Sequence, residues 1–324
     1  MTYDRRINIL ITGALGHIGS RLMRDLPPEL VSGIFLLDNL ESQKYHSLFN
    51  LPNKFQYHFL EDDIRTANFN VYLKDIDIAI HLAALTDAES SHERSEEVDS
   101  VNSRGLRRLA DYCLKHGVKL LFPSTTSVYG SQASRVDEKC VELQPQSPYA
   151  QSKLEAEQYL KKLGKKGLKF VICRFGTIFG YSPGIRFHTA VNKFIWQAIN
   201  DLPLTVWKTA WKQKRPYLDL EDCVRAVNFI IAKDVFDGEI YNVLTANFTV
   251  EDVVRVIKEF QPNLKVDYVD SRIMNQLSYE VDDSKIRRLG FCPNGSLRLG
   301  VRETIEQLRG NHASLIGYYY SDGY

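Results

Sequence analysis

A tyrosine and a lysine at helical spacing give the first chemical signal in this sequence. Tyr149 and Lys153 stand four residues apart in the segment SPYAQSK. On a helix this spacing places both side chains on one face, one turn apart. A phenol ionises only near pH ~10, so it would need a fixed cation beside it to serve as a base at neutral pH. An ordinary amphipathic helix start is the alternative, and the rest of the chain has to decide.

Three glycines near the N-terminus form a second signal. Gly13, Gly16 and Gly19 lie between an apolar run and an amphipathic run in the segment ITGALGHIGS. Glycines at such a junction permit a tight turn and let the backbone touch a pyrophosphate at a helix N-terminus. The spacing is GxxGxxG rather than GxGxxG, so the triplet alone leaves a plain glycine-rich turn open. We assign His17 and Ile18 to the same predicted dinucleotide site.

Acidic residues after the next two predicted strands sharpen this prediction. Asp38, followed by Asn39, ends the second strand, where an acid would bind the hydroxyls of an adenosine ribose. A carboxylate there repels a 2′-phosphate and favours NAD over NADP. Asp63, after the third strand, is a candidate acceptor for the adenine amino group, with Ile64 packing on the ring; a simple turn aspartate is the alternative. Two arginines of the first predicted helix are placed to soften the repulsion, Arg21 and Arg24.

Hydroxyl side chains complete a set of groups for alcohol oxidation. Ser124 and Thr125 directly follow the fifth predicted strand, in the segment PSTTSVYG. In such a set the lysine stabilises the phenolate and holds the nicotinamide ribose, the tyrosine takes the alcohol proton as hydride leaves, and the threonine orients the same oxygen. Moving the pKa of a phenol from ~10 to ~7 takes about 4 kcal/mol, which a nearby Lys⁺ and a positively charged nicotinamide can supply in a partly dry cleft. The predicted catalytic residues are Thr125, Tyr149 and Lys153, and Ser124, Tyr149 and Lys153 also belong to the predicted cofactor site.

The composition indicates a well-packed globular protein. Of 324 residues, 44% are hydrophobic, and 41 Lys and Arg nearly balance 40 Asp and Glu, which predicts neither nucleic acid nor an anionic membrane as a partner. The apolar segment at the start is too short for a signal peptide core or a membrane span. Five dispersed cysteines without a CxxC pair predict reduced thiols in a cytoplasm. The eight histidines show no HxxxH or HExxH spacing, so we expect no metal site.

Short apolar runs alternate with longer amphipathic ones through the first half of the chain. Several runs are apolar at consecutive positions, as in strands buried on both faces of a parallel sheet. The alternation predicts an α/β fold with a Rossmann-type doubly wound parallel sheet. The predicted strands are residues 7–13, 34–39, 55–63, 76–84, 119–125 and 170–176, and the longest predicted helices are residues 100–117 and 149–164.

The alternation of apolar and amphipathic runs ends after Gly176, where loop residues and aromatics become frequent. We therefore expect a smaller, discontinuous C-terminal substrate lobe on the edge of the sheet. The predicted division is an NAD-binding domain of residues 1–175 plus 221–247, a substrate-binding lobe of residues 176–220 plus 248–310, and a tail of residues 311–324.

In this order the motifs resemble the extended short-chain dehydrogenase/reductase family, and within it the NAD-dependent nucleotide-sugar epimerases and dehydratases. HLAAL looks like the strand-four motif beside the cofactor, and VNSRGLRRLADYC like the helix that leads into strand five. RFGTIFG looks like the segment after strand six, and KRPYLDLEDCVRA like the family's diphosphate-contacting run. SRIMNQLSYEVDDSKIRRLGF resembles the C-terminal substrate segment of UDP-galactose 4-epimerases. The resemblance implies NAD as cofactor and a UDP- or GDP-linked sugar as partner.

The resemblance also implies individual contacts. Arg215 and Arg272 would hold the nucleotide diphosphate through bidentate, charge-assisted hydrogen bonds, with solvated surface charge as the alternative for each. The further cofactor residues that it implies are Leu82, Ala83, Ala84 and Asn102. The substrate residues are Thr86, Thr125, Thr177, Arg186, His188, Arg215, Arg272 and Tyr279.

Departures from the family pattern narrow the reaction. The 4,6-dehydratases carry an Asp-Glu pair directly after the catalytic threonine, whereas Thr126 and Ser127 stand here. Neither can serve as the acid or base that eliminates water, and the missing glutamate and cysteine disfavour the decarboxylase and 3,5-epimerase/reductase branches. This favours an epimerase that acts through a transient 4-keto sugar. An NAD(P)-dependent nucleotide-sugar dehydrogenase or 4-keto-sugar reductase is the alternative. The intact tyrosine and lysine disfavour a third possibility, a non-catalytic NAD-sensing or scaffolding protein.

The sugar pocket departs from the family as well. Thr177 replaces a substrate-contacting Asn, and the loop SPGIRFHT adds Arg186 and His188, although the histidine would equally suit a surface loop. Trp207 and Trp211 replace a glycine-rich hairpin and either stack on a base or sugar or pack in the protein. We expect a pocket built for a modified sugar.

The resemblance further implies a homodimer. Many proteins with this fold pair two long helices from each subunit into a four-helix bundle. The corresponding segments here are residues 100–117 and 149–164.

Overall fold

The structure is a computed structural model that describes residues 6–88, 90–132, 135–270 and 279–309. Its strands are β1 (Ile7–Thr12), β2 (Val31–Asp38), β3 (Gln56–Glu61), β4 (Ile78–His81), β5 (Lys119–Thr125), β6 (Phe170–Phe175), β7 (Thr177–Phe179), β8 (Leu204–Trp207), β9 (Lys214–Asp219), β10 (Ile240–Val243), β11 (Ala246–Thr249) and β12 (Val266–Val269). Its α-helices are α1 (His17–Asp25), α2 (Phe69–Tyr72), α3 (Ser95–Val98), α4 (Leu106–His116), α5 (Pro148–Gly164), α6 (Ala190–Ile199), α7 (Leu220–Lys233), α8 (Val250–Phe260), α9 (Ser284–Arg288) and α10 (Leu297–Leu308). Short 3₁₀ turns span Tyr45–Leu48, Ser90–His92, Thr126–Tyr129 and Lys208–Ala210.

Seven parallel strands form the central sheet, in the order β10-β6-β5-β4-β1-β2-β3. The apolar runs become strands because the sheet buries them on both faces; Ile9, Leu10 and Ile11 of β1 are each 0% exposed. The order of strand addition reverses between β1 and β4, so the loops after these two strands diverge and leave a crevice at the carboxyl edge. The predicted doubly wound fold is confirmed.

Two elements begin earlier than their sequence patterns predicted. β2 begins at Val31 rather than at residue 34, because Val31 already pairs with Ile7 of β1. The helix predicted over residues 100–117 begins at Ser95 and passes through a π-helical segment, Asp99–Gly105, before α4. It ends as predicted, with Gly117 as its left-handed C-cap at φ 69°.

Most of the elements after Gly176 build a smaller region beside the sheet, whereas β10 forms an edge of the large sheet itself. Strands β7, β9 and β11 form a three-stranded sheet, and β8 pairs with β12. Helices α6, α8 and α10 bury apolar side chains against these strands. Helix α9 lies within the range predicted for this lobe, yet Ile286 and Phe291 join the core of the large sheet. The two-domain division therefore stays a proposal, and the predicted tail lies outside the described residues.

The described ranges contain neither a membrane-crossing helix nor a grouped set of metal ligands. None of their helices combines the length and apolar character that such a crossing requires. No three of their His, Cys, Asp and Glu side chains converge as metal ligands would. All five cysteines are free thiols.

Candidate active site

A cleft of about 800 Å³ lies at the carboxyl edge of the central sheet. It runs from the crevice after β1 and β2, past the ends of β4 and β5, to β8 and β9 of the smaller region. Most of the residues predicted for cofactor and substrate line it, although they come from separate parts of the chain. They are Gly13, Gly16, His17, Ile18, Gly19, Asp38, Asn39, Asp63, Ile64, Leu82, Ala83, Ala84, Thr86, Ser124, Thr125, Tyr149, Lys153, Thr177, Arg186, His188 and Arg215.

The glycine turn between β1 and α1 is shaped by close backbone contacts. Gly13 has φ +64°, and a Cβ on it would lie 2.6 Å from Ala83 N. A Cβ on Gly19 would lie 2.4 Å from Ala14 O. Gly16 is the N-cap of α1, so the free N–H groups of the helix begin there. The turn thus offers an anion the N–H donors and the positive end of a helix, and its glycines have no side chains of their own to block the approach.

Asp38 occupies the position expected of a ribose-binding acid. Its Oδ2 accepts a hydrogen bond from Leu15 N at 3.0 Å and its Oδ1 accepts one from Leu40 N at 3.0 Å. These bonds fix the carboxylate at the rim of the adenosine end of the cleft. The two arginines considered as compensating cations are engaged elsewhere: Arg21 with Asp25, and Arg24 with the carbonyl oxygens of Ser20, Ser47 and Phe49. This arrangement favours NAD over NADP.

Asp63 lines the cleft, but its carboxylate already has four donors. Arg65 donates from N and Nε to Oδ1, each at 2.8 Å, and from Nη2 to Oδ2 at 2.6 Å. Asn39 Nδ2 donates to Oδ2 at 3.0 Å. The hydrogen bonds from Arg65 hold the pKa of Asp63 well below its usual range. A carboxylate has about four acceptor positions, so an adenine amino group would have to displace one of these donors.

Helix α5 presents the predicted catalytic pair to the cleft. Ser147 caps it by accepting a hydrogen bond from Ala150 N at 3.1 Å. Pro148 occupies the first turn, where its missing N–H costs nothing. The helix start is thereby fixed, with Tyr149 in the first turn and Lys153 one turn further on.

Lys153 is buried in the wall of the cleft. Its Nζ donates to Pro123 O at 2.9 Å and lies 4.6 Å from the centroid of the Phe122 ring. Burial lowers the pKa of Lys153 to about 7, Glu157 acts to raise it, and Arg186 lowers it further. The charge of this ammonium at neutral pH therefore depends on its neighbours.

Tyr149 is hydrogen-bonded to the side chain of Thr125. Because Thr125 Oγ1 accepts a hydrogen bond from Ser127 N at 3.1 Å, its own proton is available to the phenol oxygen. Burial nevertheless raises the pKa of Tyr149 to about 12, and Thr125 and Arg186 offset only part of this. The prediction assigns the lowering of this pKa to Lys153 together with the positive charge of a bound nicotinamide, and it stays a prediction.

The loop of residues 180–188 carries Arg186 into the middle of the cleft. The guanidinium is hydrogen-bonded to Thr86, and its Nη2 lies 3.7 Å from where a Cβ on Gly16 would stand. Arg186 thus lies near both the glycine turn and Tyr149. Three hydrogen bonds hold this loop at the α1 end of the cleft. Gly184 N donates to Ser20 Oγ at 2.9 Å, and Ser182 Oγ donates to His17 O at 2.8 Å. Lys44 Nζ donates to Gly184 O at 2.7 Å.

Two buried histidines support the cleft as neutral groups. His17 Nε2 pairs with Gly180 O at 2.8 Å, and His81 Nδ1 pairs with Thr12 Oγ1 at 2.8 Å. Burial lowers the pKa of each to about 3, and Lys153 also acts to lower that of His81. Neither carries charge at neutral pH.

Two of the predicted site residues within the described ranges, Asn102 and Tyr279, do not line the cleft. The side chain of Asn102 is turned to Ser152, donating to its Oγ at 3.1 Å, and so supports α5 from behind. Tyr279, predicted as a substrate residue, has its OH 3.4 Å from Thr126 Oγ1, next to Thr125 in the chain. Arg272 lies outside the described residues.

Sequence reasoning missed Lys44 and Asp87, both of which line the cleft. Burial lowers the pKa of Lys44 to about 8, and Arg186 lowers it further. No motif surrounds Lys44, and only the folded chain brings it to the loop of residues 180–188. His81 was identifiable, since it stands inside the segment HLAAL.

Comparisons with known proteins agree with this geometry. A model of the "NAD dependent epimerase/dehydratase family" matches residues 9–243. The chain is 29% identical over 313 residues to an uncharacterized UDP-glucose epimerase of Bacillus subtilis (strain 168), covering 93% of this chain and 98% of the relative. It is 31% identical over 323 residues to a dTDP-D-glucose 4,6-dehydratase of Bos taurus, covering 94% and 89%. The structure of a UDP-glucuronic acid 4-epimerase from Bacillus cereus, in complex with UDP-glucuronic acid and NAD, superposes with a TM-score of 0.84 at 26% identity, covering 93% and 100%.

The residues present fit NAD. Backbone N–H groups at Gly16 would hold its pyrophosphate, Asp38 the adenosine ribose, and Lys153 and Tyr149 the nicotinamide ribose. When bound, NAD supplies the acceptor and donor of a hydride.

Replacing Asp38 with asparagine tests the cofactor preference. Because the substitution removes the charge that opposes a 2′-phosphate, we expect the preference for NAD over NADP to narrow by about tenfold, or about 1.4 kcal/mol. Titration calorimetry with both dinucleotides measures the ratio. Asp75→Asn, an exposed site before β4, is the control and should keep the wild-type ratio. An unchanged ratio in the Asp38 variant would contradict the assignment.

Replacing His81 with asparagine tests the neutral histidine. Its pKa is about 3 in the folded chain against an ordinary 6.5, so below pH 6.5 the unfolded chain binds the proton first and stability falls with acid. Between about pH 7 and about pH 5, we expect the free energy of unfolding of His81→Asn to fall by about 1–2 kcal/mol less than that of wild type. Urea denaturation at each pH measures this, with the exposed His116→Asn as control. Equal losses in both variants would show that His81 does not titrate in this way.

The geometry and the comparisons lead to the same assignment. The glycine turn, the ribose acid and the Thr125, Tyr149 and Lys153 group all lie in one cleft. The family model covers most of the chain, and the similar proteins are named for reactions on nucleotide sugars. This chain belongs to the NAD-dependent epimerase/dehydratase family of nucleotide-sugar enzymes.

Proposed function

We propose that this enzyme is a nucleotide-sugar epimerase that acts through a transient 4-keto sugar. The observation that carries the proposal is the group of Thr125, Tyr149 and Lys153 in one cleft, followed by the hydroxyls of Thr126 and Ser127 where a dehydratase has carboxylates. Oxidation and reduction at one carbon need a single acid–base residue, whereas loss of water needs another one. The name of the UDP-glucuronic acid 4-epimerase with the same fold supports this choice.

The three residues divide the chemistry at the sugar 4-hydroxyl. Tyr149, as phenolate, would accept the hydroxyl proton, Thr125 would donate a hydrogen bond to the same oxygen, and bound NAD would supply the acceptor for the hydride from C4. Lys153 stabilises the phenolate and donates to the nicotinamide ribose. After the keto sugar has turned its other face, C4 would take hydride back from the reduced cofactor while Tyr149 returns the proton to the oxygen, so C4 would leave with the opposite configuration.

The far end of the cleft is our proposed site for the nucleotide. Arg215 of β9 lines it and suits the diphosphate, and Thr177 and His188 line the part nearer Tyr149. Trp207 also lines this end, where its ring can stack on a base or sugar. Trp211 instead packs edge-on to Tyr268, with ring centroids 5.5 Å apart.

Retention of the cofactor also favours an epimerase. The loop of residues 180–188 lies so close to the glycine turn that a Cβ on Gly184 would stand 2.4 Å from Leu15 O. Such a loop over the pyrophosphate end of the cleft slows release of the dinucleotide. An epimerase regenerates NAD in every cycle and loses nothing by holding it, whereas a dehydrogenase or reductase has to exchange it.

A homodimer and a cytoplasmic location remain further proposals, the first from the family resemblance and the second from the dispersed free cysteines. Helices α4 and α5 are the proposed dimer surface. They lie side by side, with Tyr159 OH donating to Asp111 Oδ1 at 2.6 Å. Their outer faces would form the four-helix bundle.

Replacing Tyr149 with phenylalanine tests the proposed function. Wild-type enzyme with UDP-glucose, UDP-N-acetylglucosamine or UDP-glucuronic acid should invert one stereocentre without net NADH, as followed by NMR of the sugar and absorbance. The variant should lose at least about a hundredfold in kcat, the usual contribution of a general base, while still binding NAD. Tyr159→Phe, on the same helix but outside the cleft, should retain activity.

Other outcomes would identify other reactions. Persistent NADH would indicate a dehydrogenase or 4-keto-sugar reductase, and a 4-keto-6-deoxy product a dehydratase. NAD binding without any turnover would favour the non-catalytic role. Full activity in Tyr149→Phe would mean that the assigned base is wrong.

A further inference from the structure

Three side chains lie in line on helix α5, and the proposed chemistry uses only two of them. Tyr149, Lys153 and Glu157 follow at four-residue intervals, so they share one face of the helix. Glu157 is only 1% exposed, which is unusual for a carboxylate and requires partners.

Two neighbouring strands hold the Glu157 carboxylate. Ser124 Oγ donates to Oε1 at 2.5 Å, while Arg174 donates to Oε1 from Nε at 3.0 Å and to Oε2 from Nη2 at 2.6 Å. Ser124 of β5 and Arg174 of β6 are direct partners in the sheet register. Arg174 is 2% exposed, and its guanidinium lies 4.7 Å from the centroid of the Tyr129 ring. The ion pair is therefore fully enclosed.

Stability alone is a weak reason for this pair. The desolvation of two buried charges offsets much of their attraction, and apolar side chains of similar volume often serve as well. The contacts of the pair point instead to the cleft. Because the Ser124 hydroxyl proton is committed to Glu157, Ser124 can only accept hydrogen bonds from the cleft that it lines.

The charges around Lys153 point in the same direction. Burial and Arg186 favour the neutral amine, whereas Glu157 favours the ammonium. His81 on β4 is neutral because burial lowers its pKa to about 3, and Tyr149 is neutral because burial raises its pKa to about 12. Among these neighbours, Glu157 supplies the negative charge that opposes loss of the lysine proton.

We propose that Glu157 is a positioning residue of the catalytic site. Held by Arg174, it keeps the Lys153 ammonium charged and fixes Ser124 as an acceptor toward the bound cofactor. The consequence for turnover rests on the proposed epimerase function, whereas the consequence for cofactor binding does not.

The test compares two glutamates on one helix. Glu157→Gln alone would leave Arg174 buried without its carboxylate, so the informative variant is Glu157→Gln/Arg174→Met, which removes both charges together. Glu155→Gln is the matched control, because Glu155 accepts a hydrogen bond from Gln151 on the exposed side of α5.

The first readout is the pH profile of kcat for the full chain, from about pH 6 to about pH 9. In the double variant we expect the alkaline limb to move about one unit to lower pH, so that activity at about pH 8.5 falls roughly tenfold relative to about pH 6.5. The control should keep the wild-type profile. An equal loss at every pH, together with a lower melting temperature, would mean that the pair only supports the fold and would overturn the proposal.

The second readout is NADH affinity over the same pH range, measured by titration calorimetry. We expect the affinity of the double variant to weaken at a lower pH than that of wild type and Glu155→Gln. If this shift is present but wild type turns over no nucleotide sugar, the proposed function fails and the role of Glu157 stands. If the NADH curves superpose, the role of Glu157 fails whatever the activity.

Discussion

A lysine ammonium buried in the wall of a cleft is the constraint on which this structure depends. Lys153 is only 5% exposed, and burial of a charge carries a large desolvation penalty. The carbonyl of Pro123, the face of Phe122 and the carboxylate of Glu157 offset that penalty. All of them come from the β5 end of the sheet or from α5 itself. Because Tyr149 and Lys153 both lie in α5, whose start is capped by Ser147, the lysine ammonium stands one helical turn from the tyrosine.

The smaller region brings a second cation toward this lysine. Arg186 is half-buried in the same cleft, and burial lowers its pKa. Arg186 also acts to lower the pKa of Lys153, so the two cations oppose each other in the cleft. Hydrogen bonds to α1 and to Lys44 hold the loop that carries Arg186 against the glycine-turn end of the cleft.

Features that depend only on residues close together in the sequence could be predicted. Consecutive apolar residues gave the parallel strands, and the spacing of Tyr149 and Lys153 gave a shared helix face. What depends on long-range register could not be predicted: the pairing of Arg174 with Glu157 requires β6 to lie beside β5, and Tyr279 reaches Thr126 only after β9 is in place. The motif also names the lysine one turn from Tyr149 but does not report which groups other parts of the chain bring near the phenol, such as Arg186.

The most direct test of the account is the fate of hydrogen at the sugar carbon. A UDP-sugar substrate carrying deuterium at C4 should yield an epimerised product that keeps the label at C4, since the hydride leaves and returns on the same cofactor while only the hydroxyl proton exchanges through Tyr149. Mass spectrometry with NMR of the product in ordinary water decides this. Loss of the label to solvent, or its transfer to another carbon, would contradict epimerisation by hydride transfer in this cleft.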